Sequence, residues 1–407
     1  MISVAEAWRA IEKRATGAAC RATESRGVAA GSRAVCAEDI ATDLDCPPFD
    51  RVMMDGIAIN ARDFDAGCRS FVLCGTVAAG QWPRDLTEPQ GAVEVMTGAP
   101  LPAGADAVVR YEDLEIKGGR AALHNGVLVR RWQNVHGRGT DARAGDVTVA
   151  AGTIMAAPQW AVAAACGYES VRVFREPRVL VVATGDELCD VGQRPSGAQV
   201  RVSNCFAVAA LLRDHGLPNV TIQRVGDDRA EVAALLRSAL DAHELCVFTG
   251  AVSAGRYDFL PSLLRDLGIY EVFHGVAQRP GKPLWFGDYS GRCLVFGLPG
   301  NPVSALMTAR RYVVPCALRL AGYTSVPAEC VQLAAPVAMT ATAGFARFVP
   351  VRLMLSADAL GTALPVAMGC SGDLIAPVHS NGFVECAAGP ESYQPGTPLP
   401  LYRWSAP

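Results

Sequence analysis

The sequence is poor in the marks of several common chemistries. It carries 14 cysteines, scattered from Cys20 to Cys386, but no CxxC pair. Zinc ribbons and thioredoxin-type exchange therefore have no support. Such scatter implies small buried thiols in a reducing, cytoplasmic setting. The six histidines form no HExxH, which argues against a zinc hydrolase of that type. There is no Walker A motif and no GxGxxG, so the P-loop NTPase and Rossmann dehydrogenase readings fall away. No stretch approaches the roughly 20 apolar residues that a membrane helix needs. A net charge of -3 gives no broad surface for nucleic acid or an anionic membrane. The opening MISVAEAWRAIEKRA mixes charges among its apolar residues, the pattern of an amphipathic helix and not of a signal peptide.

What is present points to a folded protein of several parts. Half the residues are apolar and 19% are charged, as in globular chains. The 407 residues exceed one ordinary core, so two to four domains are expected. Residues 1 to about 45 read as mostly helical. From Cys46 to about Asn134 short strands alternate with turns: GIAINARD, SFVLCGTVAAG, AVEVMTG, AVVRYEDLEI and GVLVRRW, a small β module. GRGTDARAG is a polar loop, and the helical APQWAVAAACGY follows.

From Pro177 the rhythm is strand–helix–strand. VLVVATG, VTIQRVG and ELCVFTG read as buried strands, with PLWFG and CLVFG behind them. SNCFAVAALLRDHG, DDRAEVAALLRSALDAH and YDFLPSLLRDLG read as helices, the last broken or begun at Pro261. PVSALMTARRYVVPCALRL is a long closing helix with Pro302 in its first turn. This alternation predicts an α/β fold, with a doubly wound, mostly parallel sheet covered on both faces. From about Val326 the helical period vanishes. VQLAAPV, FARFVPVRL, TALPVAM and GFVECAAG predict a last small β domain.

Ligands of an open parallel sheet bind at the carboxyl ends of its strands. Three polar loops fall there: ATGDEL at 183–188, TGAVSAGRYD at 249–258, and GLPGNPVS at 297–304. Their glycines allow close backbone approach, and free N–H groups at helix starts suit phosphate. One such loop is a tight connection; three on one edge form a ligand cradle. Glu187, Asp227, Asp228 and Asp258 follow the same edge, and carboxylates beside phosphates hold Mg²⁺. Asp227 or Asp228 must cap the next helix, and Asp258 can equally be a solvated acid in a first turn. In the β module, Asp55 before Gly56 fits a hairpin turn, and Thr97 sits in the loop MTGAPLPAGADAVV. QRPGKPLWFG sets Arg279 and Lys282 around a proline turn, where two cations suit an oxyanion.

In order, PPFD…MDG, MTGAPLPAGADAVV, Arg138–Gly–x–Asp141, TGDEL, TG-x-VS-x-G-x-x-D, RPGKP and GLPGNPVSA resemble the MoeA/gephyrin-type molybdopterin molybdenumtransferase family. The motifs run from about residue 46 to 310. The resemblance implies a Mg²⁺-dependent enzyme that inserts molybdenum from molybdate into adenylylated molybdopterin and releases AMP. It implies four domains: an elongated helical/linker domain at 1–45 and 135–176, an inserted β domain at 46–134, a molybdopterin-binding α/β domain at 177–322, and a C-terminal β-barrel-like domain at 323–407. It also implies a homodimer, with Asp55, Thr97 and Asp141 acting across it. Glu187 and Asp258 complete the expected catalytic set. Thr184, Gly185, Gly250, Ser253, Gly255, Pro299 and Asn301 are expected on the pterin and its phosphates. Arg279, Lys282, Pro283 and Ser304 are expected on molybdate, and Asp227, Asp228 and Asp258 on the metal. Implied partners are the molybdopterin adenylyltransferase and recipient molybdoenzymes, with no nucleic acid and no membrane.

The chain departs from the family pattern in places. Ala251 replaces the second glycine of the TGG loop, and Val202 replaces an Asp before Ser203-Asn204. Arg51 and His136 stand where Asn and Arg are usual. Phe345 and Pro350 stand at two family arginines of the C-terminal domain, leaving Arg347 or Arg352 to substitute. Rival readings on the same fold are a paralogue that binds pterin or nucleotide as a chaperone without inserting metal, a scaffold, and the adenylyl-transfer step itself.

Overall fold

The computed structural model describes residues 1–18, 22–82, 85–250, 259–325, 329–339, 344–356 and 359–405. The side chains of 355–360 are not described. The chain divides into two compact units: Ser25–Gly31 with Glu38–Val171, and Met1–Glu24 and Ser32–Ala37 with Arg172–Pro407.

The smaller unit is built on a six-stranded sheet. Its strands in spatial order are Ala107–Arg110, Gly56–Ile59, Gly91–Val95, Ser70–Val77, Arg120–Leu123 and Leu114–Lys117. Side chains of a strand alternate between faces, and both faces here are buried. Ile57 and Ile59 join Phe64, Phe71 and Val109 in one cluster. Ala58 joins Val52, Val93, Val95 and Val108 in the other. GVLVRRW is not a strand. The sheet pairs Arg120–Leu123 instead, with Phe71 opposite Ala121, because that alternation puts Ala121 and Leu123 on the buried face.

In the larger unit, the first helix is Val4–Gly17, fastened by a capping box between Ser3 and Glu6. It buries Ala7, Ile11 and Ala15, spaced four apart along one stripe. Glu12 bonds Arg319 of the helix Val314–Leu320. The expectation of helix through residue 45 is corrected. Beyond Gly17 the described chain up to about residue 45 forms short strands and a single turn of 3-10 helix, where Gly27 and Gly31 disfavour a continuous helix.

The α/β part runs β1 (Val179–Thr184), α1 (Asn204–Asp214), β2 (Val220–Val225), α2 (Arg229–Ala242), β3 (Leu245–Thr249), α3 (Leu260–Asp266), β4 (Tyr270–His274), β5 (Trp285–Tyr289), β6 (Cys293–Leu298) and α4 (Pro302–Thr308). The sheet order is β2-β1-β3-β6-β5-β4. The first four strands are parallel, and β5 and β4 add an antiparallel edge. The edge strand β4 is not among the strands expected from sequence. Its burial is mixed, so it lacks the apolar run of the central strands. Leu236 of α2 and Leu263 of α3 pack on Leu180, Val182 and Phe248. Full burial of one such leucine is worth about 1.5–3 kcal/mol. Pro261 lies in the first turn of α3, so it begins that helix. The chain enters β1 at the centre, turns left to β2, and returns right to β3. The crevice between the ends of β1 and β3 is therefore the switch point at which ligands of such sheets bind.

The closing helix continues past α4 through a π-turn, Ala309–Val313, into Val314–Leu320. Behind it, Ala346–Ser356, Ala359–Pro365, Glu329–Leu333, Pro398–Arg403 and Gly382–Cys386 hydrogen-bond in a closed ring, because Ala346–Ser356 also pairs with Gly382–Cys386. The expected C-terminal β-barrel-like sheet is thus present.

Candidate functional site

The first and third polar loops meet the described start of the second, Thr249–Gly250, at the carboxyl ends of β1, β3 and β6. The Gly250 N–H donates to the Leu298 carbonyl at 3.1 Å, which draws the end of β3 onto the end of β6. Gly250 has φ +108°, and a methyl there would lie 2.8 Å from the Thr184 carbonyl oxygen and 3.1 Å from its Oγ1. Only glycine fits both the backbone conformation and the space. Gly300 of the third loop lies beside Gly250: a methyl on Gly300 would make an ordinary contact 4.0 Å from the Gly250 Cα. Gly185 has φ +147°, and a methyl there would press on the Glu187 carboxylate, which would have to move aside.

These described residues line a cavity of about 250 Å³, with Thr184, Glu187, Ser203, Asn204, Gly250 and Pro302 in its wall. Thr184 is 3% exposed, and its Oγ1 has no hydrogen-bond partner among the described residues. A buried hydroxyl without a partner costs free energy unless a ligand supplies the bond. Asn204 donates to the Gly300 carbonyl at 2.8 Å and so holds the third loop over the cavity. Ser203 and Asn204 are members of this wall that the motif reading did not single out. Their signal was the helix start itself, directly after a strand.

A second cavity, about 420 Å³, opens on the other side of the 297–304 loop. Arg279, Gly281, Lys282, Pro283, Pro299, Asn301, Ser304, Arg347 and Ser371 line it. The loop therefore serves both cavities: Gly300 and Pro302 face the first, while Pro299, Asn301 and Ser304 face the second. The cationic turn is pressed against α4, because a methyl on Gly281 would lie 2.4 Å from the Thr308 Cγ2. It is braced from behind by Gln278, which donates to the Gly281 carbonyl at 3.0 Å and accepts from the Tyr312 hydroxyl at 2.5 Å. Burial pushes the Tyr312 phenol well above its ordinary range, so it remains the donor in that pair.

Arg347 enters this second wall because Gln278–Arg279 pairs in parallel with Ala346–Arg347. Arg352 points elsewhere, donating to the His379 carbonyl at 3.3 Å. Phe345, at a family arginine position, faces Arg279, whose guanidinium carbon lies 5.6 Å from the ring centre. Three cations and no carboxylate among the lining residues suit a small dianion.

The acids after β1 and β2 are paired. The Asp227 N–H donates to Asp186 at 3.0 Å, and the Asp186 N–H donates to Asp227 at 3.3 Å. Asp228 caps α2, accepting from the Ala230 and Glu231 N–H groups at 2.7 and 3.3 Å. Among the described residues no group of three or more His, Cys, Asp or Glu is arranged to hold a metal. Ser253, Gly255 and Asp258, and the replacement Ala251, lie outside the described residues.

In the smaller unit, Asp55 and Thr97 come together across the sheet. The Thr97 N–H and Oγ1 both donate to Asp55 Oδ1, at 2.6 and 2.8 Å. These bonds, the backbone one first, hold the Asp55 carboxyl below the usual carboxylate range. Asp141 lies 2.9 Å from His136 Nε2. Phe49, Met53 and Met54, beside Asp55 in sequence, are exposed.

Residues 2–167 match the MoeA N-terminal region (domain I and II), residues 180–319 a probable molybdopterin binding domain, and residues 332–404 the MoeA C-terminal region (domain IV). A protein of Synechocystis named molybdopterin molybdenumtransferase is 35% identical over 371 residues, covering 91% of this chain and 92% of that one. A Staphylococcus aureus protein of the same name is 30% identical over 370 residues, covering 89% and 86%. The crystal structure of a molybdopterin biosynthesis MoeA protein from Pyrococcus horikosii superposes with a TM-score of 0.79 at 28% identity, over 100% of both chains. The chain belongs to the MoeA family of molybdopterin molybdenumtransferases.

Proposed function

We propose that the protein inserts molybdenum from molybdate into adenylylated molybdopterin, releasing AMP. The observation that carries this reading is the pair of cavities sharing the 297–304 loop. One cavity holds the Thr184 hydroxyl, without a partner among the described residues, beside the close-approach glycines Gly185 and Gly250. The other is lined by Arg279, Lys282 and Arg347. A pterin bound through its phosphates in the first would present its far end to an oxyanion in the second, so proximity alone would accelerate the transfer.

In this scheme Thr184, Gly185, Gly250, Ser253, Gly255, Pro299 and Asn301 hold the pterin and its phosphates. Arg279, Lys282, Pro283 and Ser304 hold molybdate, with Arg347 as the third cation. Mg²⁺ fits the donors present, because it takes only one or two carboxylates and fills its remaining positions with water and phosphate oxygens. Asp227 and Asp186, together with Asp258, would hold it; Asp228 is occupied as a cap. Bound there, the ion would polarise the phosphoanhydride. Glu187 would orient the phosphate chain from the cavity rim.

The homodimer belongs to the same proposal, with the partner's β module delivering Asp55, Thr97 and Asp141. Exposed Phe49, Met53 and Met54 beside Asp55 are a rim that gains by being covered. The four-domain partition, exchange with the adenylyltransferase and recipient molybdoenzymes, and a cytoplasmic location complete the reading. Among the described residues no helix is long and apolar enough to cross a membrane.

The test is an assay with purified protein, adenylylated molybdopterin, Mg²⁺ and molybdate, following AMP and active cofactor together. Molybdate-dependent AMP release with cofactor formation, lost in Asp258→Ala, supports the transferase. Tight pterin binding with neither product would leave a binding protein on the same fold.

A further inference from the structure

We propose that Arg51 and His136 form a two-residue relay that fixes the orientation of the Asp141 carboxyl group. The two strands that carry it, Arg51–Val52 and Val135–His136, pair antiparallel with His136 directly opposite Arg51. Arg51 Nη2 lies 3.1 Å from His136 Nδ1, and His136 Nε2 lies 2.9 Å from Asp141 Oδ1. A guanidinium has five N–H donors and no acceptor. Nδ1 must therefore accept, and the ring is neutral with its proton on Nε2. That proton is donated to Asp141 Oδ1, which points the carboxyl group one way. A ring with the proton on Nδ1 would face a donor with a donor and lose both bonds.

The arrangement also explains two oddities of the sequence together. Arg51 and His136 both occupy positions where the family has other residues, and here they are bonded to each other. The cation has moved from one strand to the opposite one, and the imidazole passes its effect to Asp141. The ribbon also borders the Asp55 site: the Gly98 N–H donates to the Val52 carbonyl at 2.9 Å, directly after Thr97. The relay therefore sits in the rim that carries the acids of the proposed trans-acting set. His136 is 27% and Asp141 58% exposed in their side chains, so the relay is open to a ligand or a partner subunit.

His136 is a positioning residue, and the inference rests on Asp141 serving the transferase reaction. The first test is ¹⁵N NMR of the histidine rings in the full chain, with His136 assigned by its loss in His136→Gln. The expected signature near neutral pH is an acceptor-type Nδ1 and a protonated Nε2. The opposite tautomer, a cationic ring, or an unchanged signature in Arg51→Met would overturn the relay. The second test is turnover. His136→Ala should lower kcat about ten-fold, as small misplacements of catalytic groups do, with KM for both substrates and the thermal midpoint unchanged. His136→Gln, which keeps one acceptor and one donor, should recover most of the loss. If Asp141→Asn is damaging and His136→Ala is not, the relay fails and the site stands. If Asp141→Asn is itself harmless, the assignment of Asp141 fails and takes the relay's purpose with it.

Discussion

Asp55 Oδ1 receives two hydrogen bonds from one residue, the N–H and the hydroxyl of Thr97. A carboxylate held this way stays ionised at lower pH than a free one. Its contribution is present above the unfolded-state pKa and is lost as pH falls through the depressed folded value. Thr97→Val removes the hydroxyl bond and leaves the backbone bond, so the folded value rises part of the way back. The acid limb of the pH–activity profile should shift upward in Thr97→Val, with the plateau at neutral pH little changed. An acid limb that does not move would mean that Asp55 is not the group titrating there.

Gly250 joins two of the three loops. Alanine there must adopt φ +108° with its methyl 2.8 Å from the Thr184 carbonyl oxygen. Such a conformation costs on the order of 1–3 kcal/mol in a non-glycine residue. Gly250→Ala should lower stability by that amount in chemical denaturation and weaken pterin binding further, because Thr184 must shift. Stability and pterin affinity both equal to those of the parent would show that the two loops are not held in contact.

Tyr312 tests the brace behind the cationic turn. Its hydroxyl is the donor to Gln278 Oε1, and both side chains are fully buried. Tyr312→Phe keeps the ring packing and strands a buried acceptor, at a cost of about 1–3 kcal/mol. The same variant should raise KM for molybdate more than KM for the pterin substrate, since Gln278 holds the Gly281 carbonyl. Equal changes in both constants would make the brace purely structural.

The β/α/β rhythm was legible because apolar runs such as VLVVAT become fully buried strands and because Asp228 and Pro261 mark helix starts. The loops were legible because glycine spacing reports backbone approach. What escaped were features set by partners distant in sequence. β4 has only mixed burial, so its alternation is faint. GVLVRRW has a strand-like composition, but the sheet is completed by Arg120–Leu123. The choice between Arg347 and Arg352 depended on the parallel pairing of Arg279 with Arg347, which no local pattern encodes. The bonding of Arg51 to His136, 85 residues apart, is of the same kind.

Asp227 and Asp228 are neighbours with different work. Asp228 accepts the first N–H groups of α2, a role that asparagine fills equally well and alanine does not. Asp228→Asn should leave Mg²⁺ dependence and stability near those of the parent, while Asp228→Ala costs about 1 kcal/mol. Asp227→Asn should raise the Mg²⁺ concentration needed for half-maximal activity, with stability little changed. The reverse assignment, with Asp228→Asn shifting the Mg²⁺ response, would remove Asp227 from the metal site.

Arg347 carries the sharpest test of the anion cavity, because the chain lacks two arginines that its family places in this domain. The backbone pairing brings Arg347 beside Arg279, and one of its N–H groups is already tied to the Ala338 carbonyl, which limits its freedom. A charged contact to a dianion in a half-open cavity is worth roughly 1.5–3 kcal/mol, or about ten-fold or more in affinity. Arg347→Met, which keeps the apolar stem, should raise KM for molybdate by about that factor and leave pterin binding in place. Arg352→Met should leave both KM for molybdate and pterin binding unchanged, since its guanidinium is engaged with the His379 carbonyl. Competition by tungstate or sulfate should weaken in parallel in Arg347→Met, as all three ligands are tetrahedral dianions read by the same charges. If instead Arg352→Met is the damaging variant, the charge of the missing arginines has been replaced from the other side of the strand. The second cavity would then not be the molybdate site.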